Sequence, residues 1–150
     1  MAPAADLATA AVTPAARCRG RTTPVTPAHS KAMLKSIRTF TQKPIRFMVH
    51  SHNHWDHSGG GQVWKDAGAT IIAHQKAVAW MKANPNPRIG LVVPDESWSG
   101  TRQDITVGDK TVELYYFGTN HGLGMTVFRL PKEKVVSIPD TASPTRLLST

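Results

Sequence analysis

Apolar positions repeat with a helical period over 26–40, "TPAHSKAMLKSIRTF", where Met33, Leu34, Ile37 and Phe40 share one face. Thr26 suits the cap, Pro27 suits the first turn, and Lys43-Pro44 ends the run. The mostly apolar stretch "IRFMVH", 45–50, predicts a buried strand. Gly59–Gly61 turn the chain into a short helix near "QVWKDAG". "ATIIAH" predicts a second strand, and "QKAVAWMKA" a second helix closed by "NPNPRIG". Helices that alternate with apolar strands predict a parallel or mixed sheet with helices packed on it.

The second half changes period. "QDITV", "KTVELYYFG", "GMTVFRLP" and "EKVVSIP" predict short strands, with Gly108-Asp109 and "PKEK" as hairpin turns. No internal repeat interrupts the order. Residues 1–25 carry neither period; they are rich in Ala, Thr, Pro and Arg, with Asp6 as their one acid. We expect 1–26 to be a disordered or atypical segment and 27–150 to be a partial domain. Arg17, Arg19 and Arg21 give the start a faint transit-peptide character, but it has no apolar core of a secretory signal.

Chemistry concentrates in "VHSHNHWDHSGGG", 49–61, at the end of the first predicted strand. Neutral imidazole and carboxylate together suit zinc, and less strongly iron or manganese. In extended backbone, residues two apart point the same way. His52 and His54 therefore converge on one ion, Asp56 continues their register, and His57 turns toward a second ion. His50 shares the first register but sits at the strand end, so packing or a hydrogen bond is expected of it. A lone H-x-H is commonly just solvated. H-x-H-x-D-H after an apolar strand and before glycines is far more specific. His74, ending "TIIAH", is expected to pack or hydrogen-bond beside the site, and His29 to be exposed. Trp55, inside the histidine loop, is the aromatic to watch as a pocket wall.

"SHNHWDHSGG" resembles the signature of the metallo-β-lactamase superfamily, with Ser51, His52, His54, Asp56, His57, Gly59 and Gly60 at the matching positions. "YYFGTNHGLGMTVFRLPKEKVVSIPD" is similar to a second family segment, in which a histidine follows a strand and glycine and two strands lead to an aspartate. The likeness runs over about 28–146. It implies an α/β fold, the four-layer αββα sandwich, here incomplete. It implies His121 as the third histidine beside His52 and His54, and Asp140 as the carboxylate bridging two metals, with Asp56 and His57 on the second. It also implies hydrolysis by a hydroxide held between zinc ions, with Asp56 as the catalytic carboxylate. Family members usually begin with strands ending in an aspartate and use a later histidine on the second metal. Neither is legible here, so the resemblance implies a domain truncated at both ends, one complete metal site and one incomplete, low stability and a tendency to aggregate.

The expected activity is cleavage of an ester, thioester, amide or lactam bond of a small molecule. The alternatives are a phosphodiesterase or nuclease of the same superfamily, and a catalytically impaired metal-binding fragment. The superfamily's di-iron redox branch usually carries glutamate where this chain has His54. Formal charge is +8, but the basic residues are scattered, which favours a solvated basic surface over a nucleic-acid track. Cys18 is the single cysteine, so no intrachain disulfide forms. No apolar run is long enough to cross a bilayer, and the expectation is a soluble, cytoplasmic protein with no membrane partner. Oligomeric state is not legible.

Overall fold

A computed structural model of the chain describes residues 9–11 and 26–141. Strand β1, Thr9–Ala11, precedes helix α1, Pro27–Phe40, and strand β2, Ile45–Val49. Two short helices follow, α2 at Trp55–Ser58 and α3 at Gly61–Asp66, then strand β3, Thr70–His74, and helix α4, Gln75–Ala83. A 3₁₀ turn, Pro87–Ile89, leads to strand β4, Glu96–Trp98. The remaining strands are β5, Arg102–Val107, β6, Lys110–Tyr115, β7, Val127–Leu130, and β8, Val135–Ser137.

Two four-stranded sheets result, ordered β1-β2-β3-β4 and β5-β6-β7-β8. The first is parallel throughout and the second antiparallel throughout. This split is the physical counterpart of the change in sequence period. Helical crossovers force parallel pairing, whereas the two-residue turn Gly108-Asp109 joins β5 to β6 as a hairpin.

β3 shows why both faces of the first sheet are apolar. Ile71 packs with Ile45, Met48 and Trp64, against Met33, Leu34 and Ile37 of α1. Ala73 packs with Ala77, Val78 and Met81 of α4. Ile72, between them, points the other way and joins Val112, Leu114 and Phe128 of the second sheet. The described layers therefore run α, β, β, an incomplete form of the αββα order.

Thr26 caps α1 as expected, its Oγ1 accepting from the His29 amide at 3.4 Å. Phe40, placed on the packed face by its spacing, is instead 88% exposed, so the packed stripe ends at Ile37. β4 carries no sequence signal because Glu96 and Ser97 offer no apolar run; it is recruited by pairing with β3. β1 likewise lies where no strand was expected, pairing parallel to β2. Residues 1–8, 12–25 and 142–150 lie outside the described residues.

Candidate metal centre

β2 delivers the histidine loop at its C-terminal end, the edge where ligands gather in parallel sheets. His50 is buried, its backbone N–H donating to Ile72 O at 2.9 Å and its ring Nδ1 donating to the His57 carbonyl at 3.1 Å. It is a support of the loop, as its strand-end position suggested. Burial holds its pKa down to about 4, with the His57 hydrogen bond opposing and the His57 charge adding a smaller push.

The strand ends at Val49, the chain bends at 51–53, and His54, itself extended, is the N-cap of α2. The strand alternation read through Asp56 therefore does not run through the motif. One helical turn, at about 100° per residue, swings His57 back over His52, with ring centroids 4.2 Å apart. It leaves Asp56 half-exposed, with its Oδ2 3.3 Å from His57 Nε2. His57 thus belongs beside His52 rather than on the opposite side of the loop.

Ser51 holds both rings. Its hydroxyl lies 3.0 Å from His52 Nδ1 and 3.4 Å from His57 Nδ1, and can donate to one while accepting from the other. That fixes each ring with Nε2 directed inward. Both Nε2 atoms are buried and make no hydrogen bond. His57 Nε2 is 2.5 Å from Asp140 Oδ2, close enough for an ion pair but not aligned as a hydrogen bond.

Two groups of side-chain atoms that could hold a metal ion emerge, each with all its atoms within 4.8 Å of one another: His52, His54 and His121, and His52, His57 and Asp140. His52 is common to both. Asp140 Oδ2 also lies 3.7 Å from His52 Nε2 and 3.5 Å from His121 Nε2. Asp140 reaches this focus from a left-handed backbone at φ 58°, which Asp tolerates better than most residues. Six residues marked by the sequence, His52, His54, Asp56, His57, His121 and Asp140, thus lie around one focus, with Asp56 outside both groups.

The donor set fits a divalent metal. Burial, then the charges of His57, His54, His121 and His50, push His52 down to about 3. Burial first, then His121, lowers His54. Both rings are therefore neutral at pH 7, the state in which imidazole nitrogen can ligate. His50 and His74 Nε2 are buried and unpaired too, so it is the convergence of His52 and His57 Nε2 with the other donors that fits a metal, which would also satisfy these nitrogens.

His74 stands apart from both groups. Its ring stacks on Tyr116 at 4.0 Å and meets Trp98 edge-on at 4.6 Å, while Nδ1 accepts from the Lys76 amide at the start of α4. Trp55 is half-exposed beside the loop, 6.3 Å from Trp80.

The profile described as metallo-beta-lactamase superfamily matches residues 24–144. The chain belongs to the metallo-β-lactamase superfamily. It is 28% identical over 102 residues to the 2,4-dinitroanisole O-demethylase subunit alpha of Nocardioides sp. (strain JS1661). That match covers 68% of this chain and 30% of the relative. Among solved structures, a metallo-β-lactamase from Pontibacter korlensis aligns with a TM-score of 0.67 at 22% identity, over 76% of this chain and 50% of that one. The DIM-1 metallo-β-lactamase aligns with a TM-score of 0.64 at 20% identity, over 80% of this chain and 54% of that one. The chain thus spans about a third of the curated relative and about half of these solved structures.

Asn53 and Gly122 carry weight that sequence reasoning missed. Asn53 lies between His52 and His54, a place where its own role is masked by the candidate donors on either side. The requirement at Gly122 shows only once its loop is folded against His52.

Proposed function

We propose that this superfamily domain is a zinc-dependent hydrolase acting on an ester, thioester, amide or lactam bond of a small molecule. The observation that carries the reading is the convergence of His52, His54, His57, His121 and Asp140 on one focus, in two groups that both draw on the single Nε2 lone pair of His52, which serves one ion at a time. A divalent metal bound there would lower the pKa of water toward 7 and polarise the bond under attack.

The chain's own contributions follow from its geometry. Ser51 and the His50–His57 hydrogen bond hold the imidazoles in place, so little reorganisation is needed when a metal or substrate arrives. Asp56 would take a proton from attacking water and hand it to the leaving group, a role supported by its half-exposed carboxylate 3.3 Å from His57 Nε2. Trp55 and Trp80 offer an apolar wall for the substrate.

The test is zinc-dependent turnover of a panel of simple esters, thioesters, lactams and phosphodiesters. His54→Ala and Asp56→Ala should each abolish it; full turnover in both would sink the mechanism. A second reading is O-demethylation of electron-poor methoxyarenes, supported by the name of the curated relative. It predicts methanol release from such ethers with the same dependence on His54.

A further inference from the structure

His121 comes from a loop that must be held against a histidine loop nearly seventy residues earlier in the chain. The contacts that hold it are few and specific. The Asn53 side-chain Oδ1 accepts from Leu123 N at 2.7 Å, and the Asn53 amide donates to Leu123 O at 3.2 Å. Ser51 O accepts from Thr126 N at 2.7 Å, extending the same seam. Gly122 fits against the seam without a side chain: a β-carbon there would stand 3.1 Å from Asn53 Oδ1 and 2.6 Å from His52 Cδ2.

From this clasp we infer that Asn53 is a positioning residue for His121, setting where the third imidazole stands relative to His52 and His54. The inference rests on the metal-centre reading above and deepens it. Asn53 is 5% exposed and its neighbours His52 and His54 both belong to one ligand group with His121. A backbone pair alone would fix the loop's distance. The added side-chain bond, two residues past His121, also fixes its slide along the seam. His121 is itself 38% exposed at its side chain, its ring meeting His52, His54 and Asp140 and its amide donating to Asn120 Oδ1, and the clasp adds the restraint that joins its loop to the histidine loop. Asn suits the position because its amide oxygen reaches a backbone N–H without adding charge beside the ligands.

The experiment is zinc affinity of the full chain by chelator competition for wild type, His121→Ala, Asn53→Leu and the double variant. Cobalt(II) absorption is recorded for each. Asn53→Leu should weaken zinc about 10–100-fold and shift the cobalt bands toward those of His121→Ala. The double variant should be no weaker than His121→Ala, because Asn53 acts through that residue. Asn53→Asp, which keeps the accepting oxygen, should retain the wild-type cobalt spectrum. Additive losses in the double variant would make Asn53 merely structural and overturn the inference. So would an unchanged affinity in Asn53→Leu while His121→Ala loses zinc. Absence of zinc uptake by wild type would instead overturn the metal-centre reading on which the inference stands.

Discussion

Gly122 approaches the ring of His52 so closely that a methyl group on its α-carbon would lie 2.6 Å from the imidazole Cδ2. No real carbon pair sits at that distance, so Gly122→Ala must displace either the loop or the ligand. Overpacking of this kind costs about 1–3 kcal/mol. Gly122→Ala should lower the melting temperature of the metal-free chain and weaken zinc binding as well. A variant that binds zinc as wild type does would show that the two loops part freely.

The shared position of His52 makes its loss unlike that of its neighbours. His52→Ala should abolish uptake of every ion, whereas His54→Ala and His57→Ala should each spare one group. Metal content per chain after dialysis, by elemental analysis, distinguishes these outcomes. Equal stoichiometry in all three variants would mean that the groups do not share a ligand.

Burial, chiefly, lowers the pKa of His74 from its ordinary 6.5, the Lys76 charge adding to the effect and a Gly100 backbone hydrogen bond opposing it. Its neighbours Tyr116, stacked on the ring, and Trp98, edge-on to it, offer no counter-charge. The folded state therefore favours the neutral ring, and the unfolded chain binds the proton first as pH falls. The associated stability is complete above 6.5 and is lost on acidification toward the lowered folded value. In chelator-treated protein, denaturation should become easier between pH 7 and 5. His74→Asn, which keeps a capping acceptor without a titrating ring, should reduce that dependence and leave the part due to His50, His52 and His54, whose values are lowered as well.

Glu113 is buried on the second sheet, with Arg129 Nη1 at 2.7 Å, Arg102 Nη2 at 3.0 Å and Tyr115 OH at 3.1 Å. Either arginine alone should leave the carboxylate neutralised, so Arg102→Ala and Arg129→Ala should each cost about 1 kcal/mol or less. Removing both strands the carboxylate with Tyr115, and the loss should exceed the sum of the two. Urea denaturation of the three variants checks this; strict additivity would mean that the arginines act independently.

The histidine motif was legible because its spacing and its strand-to-glycine setting are local features. α1, α3, β3 and α4 were legible for the same reason: each carries enough residues to show a period. β4 and β1 were not, since no β-branched run marks them as one marks the equally short β8, and they are recruited by pairing with β3 and β2. The register through Asp56 was misread because extended backbone was assumed across 52–57. The turn of α2 begins at Trp55, within the motif itself, where a four-residue helix leaves no pattern.

By itself, the sequence determined which donors this chain offers and the order in which they come, and that helices must cover a parallel sheet. Ligand chemistry and hydrophobic period are properties of residues and their near neighbours. Only the tertiary structure decided that His57 sits with His52 and Asp140, that His50 supports rather than ligates, and that Asn53 and Gly122 bring the His121 loop into place. Those relations join segments far apart in the chain, or depend on a single helical turn. They are settled by packing and by the need to pair buried polar groups, which no local pattern records.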